Sequence, residues 1–426
     1  MPTLILLLSI LVLTAHGCAP ADNAAPPAAS STPTEEEIRE TARGIHGRVL
    51  ALDTHVDIPF DYATPEVDPG ERGEFQVDLP KMEEGGLDAA FFIVYVGQTA
   101  RTEANYQKAQ ADAMTKFDAI HRMTETMYSD RIELAHSADD VLRIHGSGKL
   151  VAAIGIENGY VIGKDLSLLA KYHELGARYI TLAHGGHNDI ADSSTPQKGL
   201  GDSEEEHSGL SPFGREVVAE MNRLGIMVDV SHVSKKSMLH AVEVSKAPVI
   251  GSHSSTRALA DVPRNMDDEQ LRALAAKGGV MQTVALGAFV KNPPEKQAAM
   301  KTLFEELGIS GMGDLASLSD ANRAIFDEKR KEIEARFPAA TVSDFVDHVD
   351  HAVEVMGIDH VGISSDFDGG GGIEGWNDAA ETFNVTHELV RRGYTEEQIE
   401  KLWSGNLLRV WREVERVAGE LQGGTE

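Results

Sequence analysis

The chain has 426 residues, with 39 Lys plus Arg against 68 Asp plus Glu, a formal charge of −29. So acidic a protein repels phosphate backbones, which argues against nucleic-acid binding through a basic face. Its one cysteine, Cys18, excludes an intramolecular disulfide and a Cys-based zinc knuckle, whereas 17 histidines leave imidazole ligands in surplus.

The amino terminus reads as a processing segment. Residues 4–13 form an apolar run too short to serve as a stable membrane span. Thr14-Ala15-His16-Gly17-Cys18 follows, a small-residue site of the signal-peptide kind. Gly17-Cys18 also resembles the end of a bacterial lipoprotein signal, which makes Cys18 the expected lipidation site and the membrane contact a lipid anchor. Ordinary secretion is the alternative. The expected organisation is therefore a signal segment 1–18, an Ala/Pro/Ser/Thr-rich tether 19–34 and a folded domain 35–426, exported to the periplasm or outer surface.

Beyond the tether, short apolar and β-branched segments recur at 49–58, 87–96, 150–156, 178–183, 226–230, 248–251, 279–286 and 360–364. Most are continuous hydrophobic runs, as expected of strands buried on both faces. Helical patterns lie between them, at 104–128, 166–175, 213–224, 235–244 and 267–276; Asp267 with Gln270 marks one start as a capping box. Eight strands alternating with helices predict a (β/α)8 TIM-type barrel. Residues 291–337 are charged and helical in pattern, and read as a helical insertion after the seventh strand.

Polar residues gather where these strands end. The first ends Asp53-Thr54-His55-Val56-Asp57, with His55 and Asp57 two apart and so on one side of an extended strand. Glu157 directly follows the apolar run 152–156, and a carboxylate there needs a partner. His184, His232 and His253 close the fourth, fifth and sixth strands, and Asp366 and Asp368 the eighth, before four glycines. Singly, each is an ordinary turn or core residue. Six of eight strands carrying His, Asp or Glu at the end where barrel active sites are built is not ordinary. Three imidazoles (His55, His232, His253) and two carboxylates (Asp57, Glu157) suit two divalent ions bridged by Glu157, with a hydroxide between them for hydrolysis.

These residues resemble the membrane dipeptidase (renal dipeptidase) family of amidohydrolase-like metal hydrolases. The likeness runs from about Val49 to Val417. It includes the His55 and Glu157 segments, Tyr179-Ile180-Thr181-Leu182-Ala183-His184, Val228-Asp229-Val230-Ser231-His232, Ser252-His253-Ser254-Ser255, Pro263-Arg264-Asn265-Met266 and Gly362-Ile363-Ser364-Ser365-Asp366. The resemblance implies two Zn2+ ions, one on His55, Asp57 and Glu157, the other on Glu157, His232 and His253. It further implies that His184 polarises the scissile carbonyl, that Asp366 shuttles the proton, that Arg264 binds the free carboxylate of a dipeptide, and that the protein forms dimers. Asp368 is read as a turn residue. Tyr160, and the lack of a tyrosine between Val284 and Phe289, depart from mammalian relatives at positions that shape the pocket. Other readings are a hydrolase of lactones, N-acyl amino acids or cyclic amides on the same scaffold, and a non-catalytic metal-binding lipoprotein.

Overall fold

The computed structural model describes residues 33–309, 315 and 318–423. The signal segment with Cys18, and the tether up to residue 32, lie outside the described residues. The first helix, Glu35–His46, is started by a capping box in which Thr34 and Glu37 satisfy each other's backbone N–H. Asp267 and Gln270 do the same for the helix Asp268–Ala276.

Nine strands form one parallel sheet: β1 Leu52–Asp57, β2 Ala89–Tyr95, β3 Ile132–Leu134, β4 Leu150–Glu157, β5 Ala177–Thr181, β6 Met227–Asp229, β7 Ile250–Ser254, β8 Val280–Val284 and β9 Val361–Ser364. Eight of them run in the order β1-β2-β4-β5-β6-β7-β8-β9, and a parallel bridge between Val56 and Phe367 brings the last strand's exit back to the first. The expected barrel is present. The ninth strand is a correction: β3 pairs with the start of β4 off the barrel path, and three residues are too few to carry a periodic pattern.

The alternation of strand side chains divides the core. Leu52, Phe91, Ile93, Ala153, Tyr179, Met227, Ile250 and Val280 pack in one cluster with Leu407, Leu408, Val410 and Trp411 of the helix Asn406–Gly423. Phe92, Val94, Ile154, Ile156, Ile180, Val228 and Ile363 belong to the larger cluster shared with the surrounding helices. The insertion after β8, the seventh strand of the barrel path, contains the helices Pro294–Leu307 and Asp320–Ala335. They share a small core of their own, with Leu303, Phe326 and Ile333 buried. Among the described residues no helix is long and apolar enough to cross a membrane.

Candidate metal centre at the barrel mouth

The carboxyl ends of the strands bring the expected ligands within contact of one another. His55 and Asp57 lie in β1, Glu157 ends β4, and His253 lies within β7. His184, His232 and Asp366 follow β5, β6 and β9. His55 Nε2 stands 3.4 Å from Asp57 Oδ2 and 3.6 Å from Glu157 Oε2. The other Glu157 oxygen, Oε1, is 2.9 Å from His232 Nε2, 3.3 Å from His253 Nε2 and 3.7 Å from His184 Nε2. One carboxylate thus faces histidines on both sides, His55 on one oxygen and His232, His253 and His184 on the other. Asp366 Oδ1 lies 3.9 Å from His55 Nε2.

Fixed backbone geometry holds this cluster. His232 and Asp366 adopt left-handed φ values of 66° and 60°, and Asn158, next to Glu157, one of 80°. Each such residue costs about 1–3 kcal/mol and persists only where the surroundings impose it. Gly369 lies so close that a Cβ there would meet Asp57 Oδ2 at 2.3 Å and Asp366 Oδ1 at 2.5 Å. Asp368 is the turn residue expected: its carboxylate accepts from the Gln76 and Val77 N–H groups, tying the 76–77 loop to the end of β9.

Two hydrogen-bond relays orient the imidazoles, and their members carried no role in the sequence reading. Tyr179 donates its hydroxyl proton to Thr54 O, so its oxygen accepts from His55 Nδ1–H at 3.0 Å. Ser252 donates to Asp229 Oδ2 and accepts from His253 Nδ1–H at 2.8 Å. Both relays place the proton on Nδ1 and leave Nε2 a lone pair aimed at Glu157. His55 Nε2 is buried with no hydrogen-bond partner among the described residues. His253 Nε2 lies 2.8 Å from His232 Nε2. Two imidazole nitrogens that close, beside three carboxylates, are the donor set of a divalent cation. The groups of side chains close enough to hold an ion are His55 with Asp57 and Glu157, Glu157 with His184 and His232, and His55 with His253 and Asp366.

The titration behaviour agrees with that chemistry. Burial, then Arg264, holds His232 well below the ordinary imidazole range; burial, then His55, does the same for His253. Both rings are therefore neutral, the form in which an imidazole can ligate a cation. Burial pulls His55 down, but Glu157 and Asp57 override it and hold its pKa well up, so a proton competes with a cation for that nitrogen. Burial, reinforced by Asp57 and Glu157 against His55 and Arg264, pushes Asp366 up to about 8. His184 is kept below its usual range mainly by burial, and its side chain, 26% exposed against 2% for His253, faces the opening. Its ring lies between Tyr95, at 4.8 Å, and His232, at 4.1 Å.

Arg264 is buried beside this cluster. Its Nη2 donates to His253 O at 2.8 Å and its Nη1 to Ser254 Oγ at 3.2 Å, its face packs on Phe289, and its Nε has no partner among the described residues. Phe289 thus occupies the segment where no tyrosine was found. Tyr160, the other departure, donates its hydroxyl proton to Ala100 O and bonds Thr99, fixing the loop after β2.

Comparison with known proteins accords with this geometry. The profile of the family described as membrane dipeptidase (peptidase family M19) matches residues 39–424. The dipeptidase tcpJ of Claviceps purpurea is 36% identical over 352 residues, 82% of this chain and 71% of that protein. An uncharacterized dipeptidase, C965.12, of Schizosaccharomyces pombe is 31% identical over 88% of this chain and 82% of its own. The crystal structure of the probable dipeptidase PvdM from Pseudomonas aeruginosa superposes with a TM-score of 0.83 at 31% identity, covering 90% of this chain and 99% of that one. The chain belongs to the membrane dipeptidase family, peptidase family M19, and is a peptide hydrolase.

Proposed function

We propose that the protein is a binuclear zinc dipeptidase that hydrolyses the peptide bond of dipeptides bearing a free C-terminal carboxylate. The observation that carries this reading is the placement of Glu157 between His55 on one side and His232 and His253 on the other, with His55 and His253 each held at Nδ1 by a relay and turned by Nε2 toward Glu157. His55, Asp57 and Glu157 would hold one ion; Glu157, His232 and His253 would hold the other. Bound divalent ions supply Lewis acidity and an activated water at neutral pH.

The chain's own residues supply the rest. Asp366, a buried carboxyl 3.9 Å from His55 Nε2, can in its ionised form take a proton from the attacking water and return it to the leaving amine. His184, a neutral imidazole at the opening, can donate to the oxygen of the tetrahedral intermediate; one such donor is typically worth about 100–1,000-fold in rate. Of the three histidines that face Glu157 Oε1 it stands farthest, which suits a donor rather than a ligand. Arg264 can grip the terminal carboxylate with its unpartnered edge, which restricts the site to short substrates. Export and anchoring through Cys18 complete the reading, with membrane contact through the lipid alone.

The decisive experiment is a kinetic panel of L,L- and L,D-dipeptides with metal content measured alongside. The expected result is turnover that a strong chelator abolishes and added zinc restores. Full activity in protein verified to be metal-free, or no turnover of any dipeptide by protein carrying two ions, would overturn it.

A further inference from the structure

The charges at the barrel mouth bear on which dipeptides it takes, an inference that rests on the dipeptidase reading. Arg264 is fastened to β7 through His253 O and Ser254 Oγ. Lys116, on the helix Glu103–His121, reaches the end of β2: its Nζ lies 5.6 Å from the centroid of the Tyr95 ring and 5.1 Å from that of Phe60. On the barrel path β1-β2-β4-β5-β6-β7-β8-β9, β2 is second and β7 sixth of eight, so the two cations stand on opposite sides of the mouth.

Lys116 is only 4% exposed, yet among the described residues its ammonium has neither a hydrogen bond nor an ion pair, only the two aromatic faces. An ammonium has three N–H donors, and ring faces take the place of acceptors for them only in part. The contrast with Lys81 is direct. That lysine, 5% exposed, donates to the Gly73 and Phe75 carbonyls and pairs with Asp78. Lys81 is a finished structural contact, whereas Lys116 is an unfinished one. One wall of its cradle is open, since Phe60 is 52% exposed. The other wall, Tyr95, packs on His184, so the cradle adjoins the reacting centre. Burial lowers the Lys116 pKa, while Asp57 and then Glu157 pull it back up and favour the charged form.

We propose that Lys116 is a specificity-determining residue that receives the side-chain carboxylate of the substrate's first residue. The preferred substrates are then dipeptides beginning with Asp or Glu, held by Arg264 at the carboxyl end and by Lys116 across the mouth. A neutral first residue leaves the ammonium without a carboxylate partner, and that difference sets the preference.

The test compares Glu-Ala, its uncharged isostere Gln-Ala, and Ala-Ala on the metal-loaded enzyme. The expected kcat/KM for Glu-Ala exceeds that for Gln-Ala by about 10–100-fold, the range of a charge-assisted hydrogen bond. Lys116→Met should bring that ratio close to one, and Lys116→Arg should keep part of it, with melting temperatures recorded for both variants. A wild-type ratio near one overturns the proposal even if Lys116→Met does not fold, and so does a large ratio that survives in a folded Lys116→Met protein. Turnover of Ala-Ala and Gln-Ala without a charge preference leaves the dipeptidase reading standing. Loss of all three activities in the metal-loaded wild type overturns that reading and this one with it.

Discussion

Two groups of buried histidines in this chain differ in what their second ring nitrogen meets. At the barrel mouth, His55 and His253 each spend Nδ1 on a relay, through Tyr179 and Ser252; His55 Nε2 then has no hydrogen-bond partner among the described residues, and His253 Nε2 meets His232 Nε2 and Glu157 rather than a carbonyl. In His348, His187 and His46 both nitrogens are engaged. His348 accepts the Thr256 N–H at Nδ1 and donates to Val290 O from Nε2. His187 accepts from Ser193 N–H and donates to Ser203 O. His46 donates to Gly85 O and accepts from the Thr386 hydroxyl, which accepts in turn from Trp403 Nε1. Burial alone does not separate ligands from clamps, since His55 and His348 are both almost wholly buried. Saturation does: a clamp fixes two pieces of chain and has no capacity left, while a ligand is held at one end and open at the other.

The comparison breaks most sharply at Glu157, toward which the open ends point. Glu157→Gln keeps the shape and removes the charge. It should lower kcat/KM by about 1,000-fold or more, as expected when several kcal/mol of metal-derived transition-state stabilisation are lost. Metal content should fall below two ions per chain. Near-normal activity with two ions bound would mean that the carboxylate is not where the two halves of the centre meet.

The relays sharpen the comparison at smaller amplitude. Tyr179→Phe frees His55 Nδ1 and Ser252→Ala frees His253 Nδ1, without touching a ligand atom. Losing such outer partners typically costs about 10–100-fold in metal affinity. Competition titrations against a chelator should show that loss in both variants. His348→Gln should lower the melting temperature and leave metal affinity alone. If all three variants behaved alike, the division between ligands and clamps would fail.

The candidate ligands were legible in the sequence because a charged or imidazole residue ending an apolar strand is conspicuous. His55-x-Asp57 and Glu157 after Ile156 stand out this way, and the strand rhythm carried the barrel. The relays were not legible for the opposite reason. Tyr179 sits inside the apolar run of β5 and reads as core, and its partner His55 is 124 residues away in the chain. Ser252 and Asp229 lie in strands among apolar neighbours, and pair only once β6 and β7 are side by side. β3 escaped because Ile-Glu-Leu is too short for a period. Lys116 escaped because a lysine on an amphipathic helix is expected to face water; only the packing of Phe60 and Tyr95 shows that it does not.

The smallest expected effect belongs to the clamps and appears in pH rather than rate. Burial, the leading cause, holds the pKa values of His46 and His348 below the ordinary 6.5, and in both rings one nitrogen must stay unprotonated to accept its hydrogen bond. The unfolded chain therefore binds more protons than the folded one between the folded pKa and 6.5. The stability these rings contribute is fully present above about pH 6.5 and is lost as pH falls through their folded values. His46 joins the Glu35–His46 helix to the Leu79–Gly85 and Phe383–Arg391 helices, so its protonation loosens the amino-terminal end of the fold rather than the mouth. Melting curves at pH 7.5 and 5.5 should show a drop that is smaller in His46→Gln, by about 1–3 °C, the order expected for a fraction of a kcal/mol to 1 kcal/mol in a domain of this size. The same substitution should leave the metal content at pH 7.5 unchanged. An identical pH dependence in wild type and His46→Gln would show that this ring is not the proton-sensitive clamp its two hydrogen bonds make it.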